Sequence, residues 1–385
     1  MNMDKLYYTQ TGRENQEIEE RIIEIQKKCS EQLKGSPCIQ RKRILTDEHH
    51  LLIAMIRYIF CKLSFQRLSD FMARNYGIVM SDTAWKKQFK KCAVWFLQIA
   101  KKLFSEELSR HPNGKTILNY AKVYAVDATE IPQEGQKNTN IRIHTTYSLT
   151  QNCVTETVIS DNHTAESILH TTLEEGSLYL ADRGYGRATQ FAALLETGAD
   201  FIIRIAPTNI RLYTDETCRN RVEFSVLLSG TAAERLSLHC WFRVRKKVYP
   251  LRITASRIPE EQTEAAEKRV RAKASKSGRK ILETTILFSR WVVLASSLPT
   301  AIKGRDLFHV YRLRWQVELF FKRCKSLLNF HKLRKSNSDY LFAVASDFLA
   351  IVYLVSSLVL RFSELFSLTS LFDSFSLALF SLFFA

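Results

Sequence analysis

Apolar residues at Ile18, Ile22, Ile25 and Cys29 recur at three- and four-residue intervals, which predicts a helix between Glu17 and Leu33 with one buried stripe. The same period runs through residues 46–105. There one helix ends near Arg74-Asn75-Tyr76-Gly77, Ile78-Val79-Met80 follows, and Ser81 is placed to cap a second helix through Trp85, Phe89 and Trp95. From about residue 120 the pattern changes to short apolar runs. Val123–Val126 ends in Asp127, and Leu178–Ala181 ends in Asp182, with Gly184 close behind. Between Ile141 and Leu149, alternation puts Ile141, Ile143, Thr145 and Tyr147 on one face of a strand. Thr189 to Thr197 reads as a helix and Phe201–Ile205 as a further strand.

Residues 207–290 read as an inserted β-rich segment, with Leu236 and Leu238, Phe242 and Val244, and Leu251 and Ile253 in alternation. The charged stretch Glu260 to Lys280 is either a helix or a basic arm. Trp291–Ala295 resumes the strand pattern, and Leu307 to Leu328 reads as one long helix. The apolar run from Phe348 to Leu360 is bounded by Asp347 and Arg361. It is shorter than the roughly 20 residues of a membrane span, so a buried helix is expected. Ser, Leu and Phe dominate from there to Ala385.

Charge narrows the partner. Fifty-six Lys and Arg against 39 Asp and Glu give a net charge of +17. A cationic surface of that size favours a polyanion, because each Lys or Arg on a phosphate releases a condensed counterion. Nucleic acid comes first and an anionic membrane surface second. The helix, Gly-bearing turn and helix around Gly77 have the outline of a helix-turn-helix. Lys86, Lys87, Lys90 and Lys91 on its second helix either lie on phosphates or form a solvated face. The eight cysteines include no Cys-x-x-Cys pair, which argues against a zinc ribbon. The N-terminus is polar, and reduced thiols in a bacterial cytoplasm are expected.

Asp127 and Asp182 stand at the ends of strand runs, where a rigid backbone can hold a side chain toward a ligand. An Asp in that place also commonly forms a turn or caps a helix, and taken singly each residue fits both readings. On the long helix, Tyr311, Arg314, Glu318 and Lys325 share an arc of roughly 60° at about 100° per residue. Leu313, Val317, Phe320, Cys324 and Leu328 gather on another face. The charged stripe is either a site or an ion-pair network built on Arg314 and Glu318, four residues apart.

Tyr311, Arg314, Glu318 and Lys325, in the phrase Tyr311-Arg312-Leu313-Arg314-Trp315-Gln316-Val317-Glu318-Leu319-Phe320-Phe321-Lys322, resemble the signature helix of the DDE transposases of bacterial insertion sequences, those of the insertion sequence four type. Ala181-Asp182-Arg183-Gly184-Tyr185 resembles that family's second-Asp motif and Val126-Asp127-Ala128-Thr129 its first. Arg142-x-His144 is similar to the Arg-x-His that follows on the next strand. The resemblance runs from about Leu51 to Arg334. Ile141 departs from it, where an aromatic residue is common, and so does the region after Arg334.

The resemblance implies an α/β fold: a ribonuclease H-like mixed sheet flanked by helices, with a β-rich insertion and a helical N-terminal region. It implies that Asp127, Asp182 and Glu318 are catalytic and bind two metal ions, Mg²⁺ or Mn²⁺ by the hardness of their oxygens. It places Tyr311, Arg314 and Lys325 on phosphates near the cut, with Arg183 and Lys322 as further DNA contacts. Trp291 matches a tryptophan that stacks on a flipped base, though a core Trp on a buried strand is equally in keeping with the pattern. The implied partners are DNA, as terminal inverted repeats and target, and a second copy of the chain in a dimer or larger synaptic assembly, with no membrane.

The expected divisions are a helical DNA-binding region over 1–115, a catalytic core over 116–206 and 291–340 split by the insertion over 207–290, and an apolar helical segment over 341–385. The expected activity is two-metal cleavage and strand transfer in cut-and-paste transposition. The alternatives are a non-catalytic DNA-binding remnant, a ribonuclease H-like nuclease that cuts without joining, and a membrane-surface protein.

Overall fold

The computed structural model describes residues 44–60, 63–92, 95, 116–132, 139–151, 153–161, 163–207, 209–278 and 280–327. The helix expected over Glu17–Leu33 and the C-terminal apolar segment lie outside these residues.

Three helices open the described chain: α1 (Glu48–Phe60), α2 (Phe65–Tyr76) and α3 (82–92). The ends of α2 follow from its flanking residues. Ser64 Oγ accepts from Arg67 N at 3.2 Å, and Gly77 turns left-handed at φ 67° so that its N–H reaches back to Ala73 O. Ser81 caps α3, its Oγ accepting from Ala84 N at 3.2 Å. Trp85, Phe89 and Cys92 form the buried face of α3, and Lys86, Lys87, Lys90 and Lys91 are exposed.

The strands are β1 (Val123–Pro132), β2 (Thr139–Ser148), β3 (Cys153–Asp161), β4 (Leu178–Ala181), β5 (Asp200–Arg204), β6 (Arg235–Val244), β7 (Lys247–Arg257) and β8 (Trp291–Ser296). They form one sheet in the order β3-β2-β1-β4-β5-β8-β7-β6. β4 runs parallel to β1 and β5, and the other pairings are antiparallel. The ribonuclease H-like mixed sheet flanked by helices is therefore present.

Alternation sorts the central strands between two cores. Leu178 and Leu180 of β4, Ile202 of β5 and Leu294 of β8 pack on one face with Leu307, Val310 and Tyr311. Tyr179, Ala181, Phe201, Ile203, Val293 and Ala295 pack on the other with Phe191 and Leu194 of α4 (Ala188–Glu196). The N-terminal helices share the first face, where Trp85 and Phe89 join a cluster with Ala125, Tyr147, Val317 and Phe321.

The insertion contains three helices as well as strands: α5 (Phe224–Ser229), α6 (Glu260–Lys276) and α7 (Glu283–Ser289). Its β6–β7 hairpin pairs with β8 along Arg252–Arg257, so the sheet continues into it without a break. The charged stretch is the helix α6, which buries no residue, as its lack of an apolar stripe requires.

Two expectations need correction. The run ending in Asp127 is not a strand end, because β1 continues to Pro132. Pairing with β4 stops at Val126–Ala181, but β2 follows β1 to its end. The single helix over Leu307 to Leu328 is also two helices, α8 (Gly304–Arg312) and α9 (Trp315–Leu327). Between them the backbone tightens to i→i−3 bonds: Leu313 N to Val310 O, Arg314 N to Tyr311 O, Gln316 N to Leu313 O and Val317 N to Arg314 O. This turn overturns the expectation that Leu313 is buried. Leu313 is 36% exposed and Arg314 only 7%. Carboxylates on the sheet and on α9 supply the counter-charges that make burial of Arg314 tolerable.

Among the described residues, no helix is long and apolar enough to cross a membrane. Cys92, Cys153, Cys218 and Cys240 are buried.

Candidate active site

Strand register brings the two aspartates together. Val126 pairs with Ala181 in parallel, so Asp127 and Asp182 occupy the next position on neighbouring chains. Parity then puts both on the face of the sheet that carries Val123, Leu178 and Leu180, beneath α8 and α9. Asp182 precedes a short helical turn, Arg183–Tyr185, but makes no capping hydrogen bond. Its carboxylate instead accepts from the Tyr311 hydroxyl at 3.5 Å.

Arg314 connects the remaining members. Its Nη1 donates to Asp127 Oδ2 at 3.3 Å, and its Nη2 makes a short contact with Glu318 Oε1. The guanidinium carbon lies 5.7 Å from the centre of the Tyr311 ring. The Arg314–Glu318 ion pair of the helix stripe is present, and it faces the sheet carboxylates. Asp127 also accepts from Ala128 N at 2.8 Å.

Burial pushes the Asp127 carboxyl up to about 7; Glu318 and Asp182 add to the rise, while Arg314 and the Ala128 N–H oppose it. Burial also raises the Tyr311 hydroxyl, with Asp182 adding, so that Tyr311 remains a donor. Burial disfavours the Arg314 charge, but Tyr311, Glu318, Asp127 and Asp182 outweigh it and strengthen its hold on the proton. Beside Asp127, the buried atoms Thr145 Oγ1, Tyr185 OH and Arg314 Nε have no hydrogen-bond partner among the described residues. Thr145 is the residue opposite Asp127 on β2. Among the described residues no three Asp, Glu, His or Cys side chains stand close enough to hold a metal ion, and Arg314 spans the gap between Asp127 and Glu318.

The other expected DNA contacts are spread around this centre. Arg183 and Lys322 are exposed. Lys325 lies on α9, and its side chain is outside the described residues. Trp291 is a core residue, 4% exposed and packed with Val293 and Ala255. The Arg257 guanidinium covers its ring at 5.0 Å. Trp291, Arg257, Tyr311, Arg312 and Arg314 line one cleft of about 1100 Å³.

A fourth carboxylate escaped the sequence reading. Glu166 lies in the loop after β3, and a Cβ placed on Gly184 would overlap its Oε2. Gly184 therefore admits Glu166 to the segment that carries Asp182. Burial raises the Glu166 carboxyl; Asp182 and Glu130 add to this, and Arg142 and Arg187 oppose it. Arg142 donates to Thr164 O at 2.5 Å and pairs with Glu130. His144 hydrogen bonds Ser160 Oγ at 2.9 Å and packs at a tilt against His170, with ring centroids 4.3 Å apart. The only local signal for Glu166 is the missing side chain at Gly184.

Residues 121–346 match the family model described as a transposase DDE domain. InsL of insertion sequence element IS186A from Escherichia coli (strain K12) is 24% identical over 321 residues, which cover 80% of this chain and 83% of the relative. The transposase for insertion sequence element IS421 from Escherichia coli is 24% identical over 322 residues, with coverages of 80% and 83%. The transposase for insertion sequence element IS231B from Bacillus thuringiensis subsp. berliner is 22% identical over 337 residues, 78% of this chain and 70% of the relative.

Proposed function

Because the chain belongs to the transposase DDE domain family, we propose that it cuts and joins DNA at insertion-sequence ends, with Asp127, Asp182 and Glu318 as its catalytic carboxylates. The observation that carries this reading is the convergence on one buried guanidinium. Arg314 meets Asp127 from the sheet and Glu318 from α9, beside the Tyr311–Asp182 contact.

The donor set suits a hard divalent cation. It offers carboxylate oxygens, no thiolate or imidazole, and unpartnered Thr145 and Tyr185 hydroxyls next to Asp127. Asp127, Asp182 and Glu318 would hold Mg²⁺ or Mn²⁺, which activates the attacking oxygen and stabilises the leaving one. Arg314 neutralises Asp127 and Glu318 in their present arrangement. Its planar fork of two parallel N–H donors is matched to a DNA phosphate. Tyr311, held protonated, orients Asp182. The exposed Arg183 and Lys322, with Lys325, add positive charge around the scissile phosphate. Two copies of the chain, one at each end, then carry out excision and insertion by cut and paste.

The test is cleavage of labelled DNA bearing the element's terminal repeats in Mg²⁺ or Mn²⁺, comparing the wild type with Asp182→Asn. Metal-dependent cuts at the repeat boundary, absent in the variant, are expected. Binding without cuts by the wild type would move the reading to a DNA-binding protein without catalysis. Cuts without joining to a second duplex would move it to a nuclease.

A further inference from the structure

Several cations on the folded body are paired with carboxylates. Lys122 pairs with Glu174, Arg142 with Glu130, Lys247 with Glu196, Lys268 with Glu264 and Arg290 with Glu267. Where the β6–β7 hairpin meets the start of α8, a cleft of about 450 Å³ is lined by Arg235, Ser237, Thr254, Lys303, Gly304 and Arg305. Arg235, Lys303 and Arg305 are exposed and, among the described residues, form no ion pair. They come from two segments far apart in sequence, so no single helix or strand period brings them together.

Behind the lining, a buried side chain ties the walls together. Arg252 is 5% exposed and donates from Nε to Ser237 Oγ at 3.0 Å and from Nη1 to the carbonyls of Pro299 and Ile302 at 2.9 and 2.7 Å. These bonds tie β7 to the loop that delivers Lys303. A Cβ on Gly304 would lie 3.0 Å from Thr254 Cγ2, so glycine is what lets α8 start this close to β7. Among the described residues, the acceptors of Arg252 are all neutral. A buried guanidinium with no carboxylate is uncompensated charge, which is costly to desolvate and favours an anion nearby. Burial alone lowers the Arg252 proton affinity. Arg235 also lines the larger cleft that reaches Tyr311 and Arg314, beside the carboxylates those two residues bond.

We propose that Arg235, Lys303 and Arg305 form a second DNA-backbone site, which grips the phosphates of a strand leaving the catalytic carboxylates along the β6–β7 hairpin. The inference rests on the transposase reading above and adds to it a surface on the insertion. Phosphates are the chemistry recognised, and they can come from the element's end or from target DNA.

The experiment measures binding of the full chain to a terminal-repeat duplex and to an unrelated duplex across a salt series. Wild type is compared with the triple variant Arg235→Gln, Lys303→Gln, Arg305→Gln. The slope of log affinity against log salt should shrink by about 2–3, close to one counterion per lost phosphate contact. A change on the repeat duplex alone assigns the site to the end, and a change on both assigns it also to target. A second readout needs no variant. DNA should protect Lys303 of the wild type from an amine-reactive reagent, while Lys247, paired with Glu196, stays reactive. An unchanged slope, or a Lys303 that remains reactive in the complex, would overturn the site while wild-type cleavage of end DNA leaves the transposase reading standing. A wild type that neither binds nor cuts end DNA removes that reading first.

Discussion

Arg314 donates through Nη1 to Oδ2 of Asp127 at 3.3 Å, across 187 positions of sequence. The bond works because the chain tightens at Leu313–Arg314, turning the guanidinium under α9 and onto the sheet. Arg314 is thereby the centre of the carboxylate group. The same side chain holds Glu318, so one planar fork sets the spacing of two acids from different elements.

Arg314→Lys should therefore impair cleavage although the charge is kept, because an ammonium cannot span both carboxylates. Loss of one charge-assisted hydrogen bond is worth about 1.5–3 kcal/mol, or roughly a 10- to 100-fold fall in rate. Single-turnover cleavage of terminal-repeat DNA measures it. A rate within twofold of wild type would show that Arg314 serves only the ion pair with Glu318.

Gly184→Ala should displace the Glu166 carboxylate, the flexible end of a side chain, at a cost in stability below about 1 kcal/mol. If Glu166 positions the Asp182 segment, Gly184→Ala and Glu166→Ala should lower cleavage to similar extents, and the double variant should fall no further than either. Additive losses would show that the two residues act separately.

Trp291→Ala should destabilise the fold by roughly 3–5 kcal/mol, because the indole is 4% exposed within the core. Arg257→Ala should cost much less, since Arg257 is exposed and only covers the ring and bonds Thr231 O. Urea unfolding compares them. A Trp291→Ala loss under about 1 kcal/mol would move the indole from packing to a purely DNA-facing role.

His144 gives a pH signature. Its imidazole is pushed down to about 4, first by burial and then by His170 and Arg142. The unfolded chain takes up this proton near pH 6.5, whereas the folded one resists until about pH 4. Stability from this group is thus complete above the unfolded value and lost as pH falls from about 6.5 toward 4. Urea melts at stepped pH should show a shallower loss for His144→Gln than for wild type over that window; parallel curves would count against the burial argument. The groups facing the ring are His170, Arg142 and Ser160.

The sequence by itself determined the elements and the faces. The apolar runs at Val123–Val126 and Leu178–Ala181, Gly77 and Ser81 as helix boundaries, and the order of Asp127, Asp182 and Glu318 all follow from local periodicity, caps and motif spacing. These signals are short-range, since they depend on which residues sit two, three or four positions apart. Only the tertiary structure decided that β8 carries the hairpin into the same sheet, that Leu313 turns out and Arg314 in, that Arg257 covers Trp291, and that Glu166 reaches Gly184. Each depends on a partner distant in sequence. Whether a charge is buried is decided by the counter-charge that meets it, and for Arg314 one of those, Asp127, lies on a strand 187 residues earlier.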